Sequence, residues 1–173
     1  MKKLFFISLC VASFSCATQT TTKWKTFKGE NFTIDYPVQW ELNENNRTGA
    51  SFVLLSPLES AQDLFKENVN LLIQDLSGKN INLTKYVEIS EDQVKTMLPN
   101  ATLIESKRMK TGSQEYHRMI YTGDQGANHL KFEQYFWVIN NKAYVLTLTC
   151  EQNKFANYKE TGEKILNSFT FTK

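Results

Sequence analysis

The sequence predicts an α+β fold in which a mainly antiparallel sheet is flanked by helices as an α/β/α sandwich. Two observations lead to this prediction. Most of the chain after residue 23 consists of segments that alternate like strands or are rich in β-branched and aromatic residues. Two amphipathic helical stripes interrupt these segments, one in the middle of the chain and one near its end.

Four short strands are predicted in the first half of the chain. Phe32, Ile34 and Tyr36 alternate with polar residues, which is typical of a half-buried strand. Pro37 ends this strand because proline has no N–H to donate to a neighbour. The other three predicted strands begin at Trp40, Ser51 and Asn68.

Two helices are predicted from apolar residues that recur on one stripe. The first lies between Asn82, which can cap it, and Pro99, which ends it. The second has Gly162 on its apolar stripe, where a close approach to the sheet would leave no room for a side chain. Residues 169–171 then return as an edge strand. The other stripe residues are Leu83, Tyr86, Val87, Val94, Met97 and Leu98 in the first helix, and Phe155, Tyr158, Ile165, Leu166 and Phe169 in the second.

Residues 101–150 predict an antiparallel meander of four strands separated by short polar turns. A two-residue Asn-Asn turn between the last two strands would place Trp137 opposite Tyr144 and Tyr135 opposite Leu146. Both faces of these strands are apolar. Helices are therefore expected to cover the sheet on both sides.

The opening of the domain resembles the PsbP-like family. The resemblance rests on Phe27, Gly29, the aromatic strand 32–37 and Trp40. A mid-chain helix with a Leu-x-x-Tyr start, a long meander and a terminal helix that runs into an aromatic strand extend it over residues 24–172. The resemblance implies a PsbP-like sandwich fold.

The same resemblance implies a binding role. The family includes extrinsic subunits of the oxygen-evolving complex, a small nuclear-transport protein that binds the Ran GTPase, and many bacterial envelope proteins. Its members mostly act by binding, and the resemblance carries no catalytic motif to this chain. A fold alone does not define function, because one scaffold hosts many different sites.

Size and charge narrow the classes of function. A chain of 173 residues is long enough for one domain, and 41% hydrophobic with 22% charged residues is globular in composition. The chain has Lys+Arg 20 and Asp+Glu 18. The two extra positive charges correspond to Lys2 and Lys3, which lie in a segment expected to be removed. The mature chain is then neutral, and it has no electrostatic field that would attract nucleic acid.

The first residues predict export and lipidation. Two lysines precede an apolar run over residues 4–14, which has the length of a secretory signal and is too short to cross a membrane. The sequence Ser13-Phe14-Ser15-Cys16 resembles a bacterial lipobox, in which the Cys thiol receives a lipid before cleavage. Residues 1–15 are therefore predicted to be a lipoprotein signal peptide, and Cys16 the lipidation site.

The cysteines also favour lipidation over an ordinary cleaved signal, which is the alternative. After cleavage only Cys16 and Cys150 remain, and Cys16 lies in a polar tail where no disulfide partner is expected. Residues 16–22 are predicted to be the lipid anchor and tether, and residues 23–173 the PsbP-like domain. We expect the protein in the bacterial cell envelope, facing the periplasm, with membrane lipid and an envelope protein as partners.

Familiar catalytic and cofactor motifs are missing from the sequence. It has no Gly-x-Ser-x-Gly elbow, no phosphate-binding glycine loop and no metal-ligand spacing, so no cofactor or metal is predicted. Cys150 follows apolar residues at strand spacing and is predicted to be buried and inert. His117 and His129 are predicted to lie too far apart to share a zinc ion, on the expectation that Thr122 pairs with His129.

These observations lead to two hypotheses of function. The first is a membrane-anchored, non-catalytic binding or assembly module of the bacterial envelope. The alternative is a small-molecule carrier, or an unrecognised hydrolase that uses a carboxylate pair in a pocket. The candidate carboxylates on strands are Asp35, Glu105, Glu115 and Glu133.

Overall fold

The computed structural model describes residues 22–45 and 49–172 of the chain. This part of the chain forms ten strands and two helices. In chain order they are β1 (Trp24–Lys28), β2 (Phe32–Pro37), β3 (Glu41–Asn43), β4 (Phe52–Leu55), β5 (Asn68–Asp75), α1 (Leu83–Met97), β6 (Thr102–Thr111), β7 (Gln114–Gln125), β8 (Asn128–Ile139), β9 (Lys142–Glu151), α2 (Phe155–Ser168) and β10 (Thr170–Phe171).

The main sheet has seven antiparallel strands in the order β3-β4-β5-β9-β8-β7-β6. Its meander has the predicted register, with Trp137 opposite Tyr144 and Tyr135 opposite Leu146. The turn between β8 and β9 places two asparagines in the left-handed region, with φ of 50° and 57°. Asparagine tolerates this conformation better than most residues. The predicted α+β class is confirmed.

A second sheet of three strands, in the order β1-β2-β10, lies beside the main sheet. The predicted edge strand at the end of the chain is confirmed, and its Phe171 pairs with Phe32 of β2. Strand β1 was not predicted. Only Trp24 and Phe27 of its five residues are partly buried, and their spacing of three does not alternate as a strand does.

Helices cover the main sheet on both faces, as predicted. On one face α2 packs over a core that includes Trp137, Leu148 and Ile165. Gly162 permits this approach, since a Cβ atom added there would lie 2.4 Å from Cδ2 of Leu148. On the other face α1 packs over a smaller core that includes Phe136.

The helix ends agree with the sequence signals. The Asn82 side chain caps α1 by accepting a hydrogen bond from the backbone N–H of Lys85 at 2.9 Å. Helix α1 ends at Met97, two residues before Pro99. Within the described residues, no helix combines the length and the apolar character needed to cross a membrane.

One predicted strand pairing is wrong. Asp124 pairs with His129, and Thr122 pairs with Lys131, because β7 and β8 continue to a two-residue loop in which Gly126 has φ of 63°. His117 pairs with Phe136, seven residues beyond His129 on β8. At about 3.4 Å per residue the two histidines are separated by roughly 24 Å.

Candidate functional site

The candidate site is a groove in the main sheet beside α1. Helix α1 packs over β6, β7 and β8, while the part of the same face formed by β5 and β9 lies open between α1 and the loop 56–67. Three adjoining depressions of about 350, 330 and 350 Å³ make up this groove. We call it the amide groove and define its floor by Asn68, Asn70, Leu72, Gln134, Val145, Thr147 and Thr149.

Strand register arranges the polar side chains of the floor in rows. Asn70 of β5 is opposite Thr147 of β9, which is opposite Gln134 of β8. In the neighbouring row Asn68 is opposite Thr149. Gln134 Nε2 donates to Thr147 Oγ1 at 3.0 Å, and Asn70 Nδ2 donates to Asn68 Oδ1 at 3.3 Å. These bonds orient the amides and leave them with further donors and acceptors.

Helix α1 forms one wall of the amide groove. Val87 and Val94 are buried against the sheet and hold the helix in place. Tyr86 reaches from the helix towards β5, where its hydroxyl donates to Gln74 Oε1 at 2.5 Å. Met97, at the end of the helix, is 76% exposed and lies at the rim.

The loop 56–67 forms the opposite wall through Phe65. The Asp63 carboxylate holds this loop by accepting from the backbone N–H groups of Glu59 at 3.0 Å and Phe65 at 3.3 Å. Lys154 Nζ also donates to Asp63, at 2.9 Å. The hydrogen bond from Lys154 is the main cause that lowers the pKa of Asp63. The wall is thus tied to the chain segment between β9 and α2.

The lining of the amide groove carries no charge. Among the described residues that line its three depressions there is no Asp, Glu, Lys, Arg or His, although 22% of the chain is charged. Amides, hydroxyls, aliphatic groups and aromatic rings form the whole surface. A charged ligand would lose hydration there without gaining a counter-charge, so the groove suits an uncharged ligand.

The structure brings two of the four candidate carboxylates together, on the α2 side of the main sheet. Arg118 Nε donates to Glu133 at 2.7 Å, and Nη1 donates to Glu105 at 2.8 Å. Nη2 donates to Glu163 of α2 at 3.0 Å. The sequence did not indicate the roles of Arg118 and Glu163, because α2 and β7 meet only in the folded chain.

The geometry of this ion-pair network indicates that it stabilises the fold and does not form a catalytic site. Glu133 is fully buried, and burial raises the pKa of its carboxyl while the hydrogen bond and charge of Arg118 oppose that rise. The guanidinium of Arg118 forms ion pairs with both Glu105 and Glu133. Neither carboxylate is therefore free to act as a general acid or base on a ligand. Asp35 accepts from Thr26 Oγ1 at 2.6 Å in the small sheet, and Glu115 is exposed on β7.

A serine and a histidine that the sequence did not pair also lie together, under α1. Ser106 Oγ donates to Glu91 and lies 2.6 Å from His117 Nε2. In a hydrolytic triad the histidine lies between serine and carboxylate, whereas here the serine lies between the other two. His117 Nδ1 is buried without a hydrogen-bond partner in the described part of the chain, so no carboxylate orients the imidazole. Burial lowers the pKa of His117.

The remaining candidates are inert or lie outside the described residues. Cys150 is buried in the core under α2, as predicted, and burial raises the pKa of its thiol. The described residues contain no group of three or more His, Cys, Asp or Glu side chains that could hold a metal ion. Cys16, the predicted lipidation site, lies outside the described residues.

Fold and site together define an α/β/α sandwich protein with an uncharged concave face. A family model described as PsbP-like protein matches residues 12–171. The chain therefore belongs to the PsbP-like family, and the resemblance found in its sequence is confirmed.

Solved structures share the fold at low sequence identity. The chain is similar to cyanobacterial PsbP (CyanoP) from Synechocystis sp. PCC 6803, with 17% identity over 91% of this chain and 97% of that chain and a TM-score of 0.64. It is similar to LpqN, involved in cell envelope biogenesis of Mycobacterium tuberculosis, with 13% identity over 88% and 92% and a TM-score of 0.66. It is also similar to PA94 from Pseudomonas aeruginosa, a protein of unknown function, with 12% identity over 84% and 94% and a TM-score of 0.60. No curated protein sequence matches the chain.

Proposed function

We propose that the chain is a membrane-anchored lipoprotein of the bacterial envelope whose PsbP-like domain acts as a non-catalytic binding module. The observation that carries the binding role is the amide groove, which is concave and lined by uncharged side chains, both hydrogen-bonding and apolar. No carboxylate, imidazole or thiol lines it among the described residues. Such a surface can hold a ligand, and its serine, threonine and tyrosine hydroxyls have no histidine, lysine or carboxylate beside them in the described lining to activate them as nucleophiles.

The anchor is proposed from the sequence of the first 22 residues. Ser13-Phe14-Ser15-Cys16 resembles a lipobox, and acyl chains on Cys16 would hold the protein to a membrane without a spanning helix. The name of one structural relative, LpqN, refers to cell envelope biogenesis, which is consistent with this location. A tether of residues 16–22 reaches at most about 25 Å, so the domain would stay close to the membrane surface.

Replacing Cys16 with serine tests the anchor. We expect Cys16→Ser to move the protein from the membrane fraction to the soluble fraction, because the thiol that accepts the lipid is gone. Cys10→Ser is the matched control, since it makes the same chemical change within the predicted signal peptide and should leave the protein in the membrane. A Cys16→Ser protein that stays in the membrane would contradict the proposed anchor.

The hydrolase hypothesis gains no support from the carboxylates. A glycosidase-type pair flanks an open site, whereas Glu105 and Glu133 both contact the guanidinium of Arg118. The carrier hypothesis uses the same groove as the proposed binding module. An envelope protein as partner stays a prediction.

A further inference from the structure

We propose that the amide groove binds an uncharged, hydroxyl-rich ligand, namely a segment of a neutral glycan. This inference rests on the proposed binding role and specifies the chemistry of the ligand.

The lining excludes ligands that depend on charge. A phosphate, a carboxylate or an ammonium group would have to enter the groove without an ion partner among the described lining residues. Moving such a group out of water is unfavourable unless it is paired or well hydrogen-bonded. A hydroxyl group has a smaller desolvation penalty, and amides and hydroxyls of the floor can satisfy it.

The polar rows place several hydrogen-bonding side chains within about 10 Å of one another. Neighbouring strands are about 4.8 Å apart, so the row Asn70, Thr147 and Gln134 spans about 10 Å across β5, β9 and β8. The second row, with Asn68 and Thr149, lies about 7 Å along the strands. Each carboxamide presents a donor and an acceptor in one plane, which matches two adjacent hydroxyls that both donate and accept.

Apolar groups flank these rows. Leu72 continues β5 beyond Asn70, and Val53 of β4 lies directly beside Asn70 in the register. Phe65 contributes a partly exposed ring from the opposite wall. A sugar ring has polar edges and apolar C–H faces, so it can contact the amides and these apolar groups together.

Two other neutral ligands fit less well. An extended peptide usually binds by adding a strand to a sheet edge, but β5, β9 and β8 are each paired on both sides and have no free edge. An acyl chain would bury the amides of Asn68, Asn70 and Gln134 without satisfying their remaining hydrogen-bonding groups. Leaving these groups unsatisfied is unfavourable, because each would lose its hydrogen bonds to water without replacing them.

A titration of the mature acylated protein in phospholipid nanodiscs tests the inference, because nanodiscs avoid sugar-based detergents. The probes are N,N′-diacetylchitobiose, cellobiose and maltose, with sialyllactose as a charged comparator and a capped Gly-Ser-Gly peptide as a peptide comparator. We expect at least one neutral sugar to shift the side-chain amide signals of Asn68, Asn70 and Gln134 in ¹⁵N–¹H NMR spectra. Absence of a shift with all three sugars would overturn the inference, as would stronger binding of either comparator.

Three substitutions test whether the sugar binds at the amide groove. Gln134→Leu should weaken the affinity for the bound sugar about tenfold, which corresponds to one lost hydrogen bond of about 1.4 kcal/mol. Thr147→Val, which keeps the shape of the side chain, should also weaken it. Asn157→Leu is the matched control, because Asn157 is an exposed amide on α2, on the opposite face of the sheet. Equal affinity of all three variants would overturn the inference.

The outcomes also separate this inference from the proposed function. The Cys16→Ser protein should bind the same sugar as the acylated protein, since the groove does not depend on the anchor. Binding of the peptide comparator at the groove would keep the binding module and remove the glycan. A protein that is anchored but binds no neutral sugar would likewise contradict only the ligand proposed here.

Discussion

Replacing Arg118 with methionine is expected to lower the free energy of unfolding by about 3–5 kcal/mol, the range for breaking a buried ion pair by removing one partner. Arg118 Nε donates to Glu133 at 2.7 Å, and Glu133 is fully buried. Without the guanidinium, Glu133 would keep a charge in the core with no counter-charge beside it. Urea unfolding followed by circular dichroism measures the change.

The decrease in the free energy of unfolding caused by Arg118→Met should depend on pH. Burial raises the pKa of Glu133 above its ordinary value of 4.5, and without Arg118 the hydrogen bond and charge that oppose this rise are gone. For a carboxyl with a raised folded-state pKa, the folded chain binds more protons than the unfolded chain. Its stabilising contribution is therefore fully present below about pH 4.5 and is lost as the pH rises through the folded-state pKa.

We therefore expect Arg118→Met to lower the free energy of unfolding by less at pH 5 than at pH 8. Glu105→Gln is the control within the same network. The Glu105 side chain is 38% exposed, so removing its charge should change the free energy of unfolding by about 1 kcal/mol or less. Equal losses for Arg118→Met at both pH values would show that the buried charge of Glu133 is not the cause.

Trp137→Ala is expected to lower the free energy of unfolding by a similar amount, about 3–5 kcal/mol, because it opens a cavity in the core under α2. The Trp137 ring is 5% exposed. It stacks on Tyr116 with ring centroids 5.6 Å apart, and its centroid lies 5.1 Å from that of Phe169 and 5.8 Å from that of Phe171. Its removal should therefore also loosen β10, which contains Phe171.

Thermal unfolding measures the loss of stability in Trp137→Ala, and hydrogen exchange measures the loosening of β10. For a domain of this size the melting temperature should fall by roughly 6–20 °C, at about 2–4 °C for each kcal/mol. Exchange should rise in the backbone amides of β10 more than in those of β4. Trp24→Ala is the control, because Trp24 is only partly buried on the edge strand β1. An equal loss for both variants would contradict the central packing role of Trp137.

Local patterns predicted the parts of the fold that depend on neighbouring residues. Alternation at Phe32, Ile34 and Tyr36 gave β2, and Asn82 and Pro99 marked the ends of α1. The Asn-Asn turn gave the register of β8 and β9, since a two-residue hairpin fixes which residues face each other. Strand β1 was missed because it is stabilised by pairing with β2 and has little alternation of its own.

The amide groove could have been predicted only in part. Asn68 and Asn70 occupy alternate positions of a predicted strand, where asparagine is depleted, and this was a local sign of a special surface. The predicted hairpin register, continued one residue further along both strands, also puts Gln134 opposite Thr147, as the structure has it. The pairing of β5 with β9 joins segments more than 60 residues apart, so no local pattern indicated that Asn70 lies opposite Thr147.

The proposed envelope role depends on a lipid anchor at Cys16 that holds the PsbP-like domain at a membrane. The intact mass of the mature protein extracted from membranes tests it most directly. We expect a polypeptide that begins at Cys16 and has the additional mass of a thioether-linked diacylglyceryl group. A mature chain that begins at another residue, or an unmodified Cys16, would contradict the proposed lipid anchor.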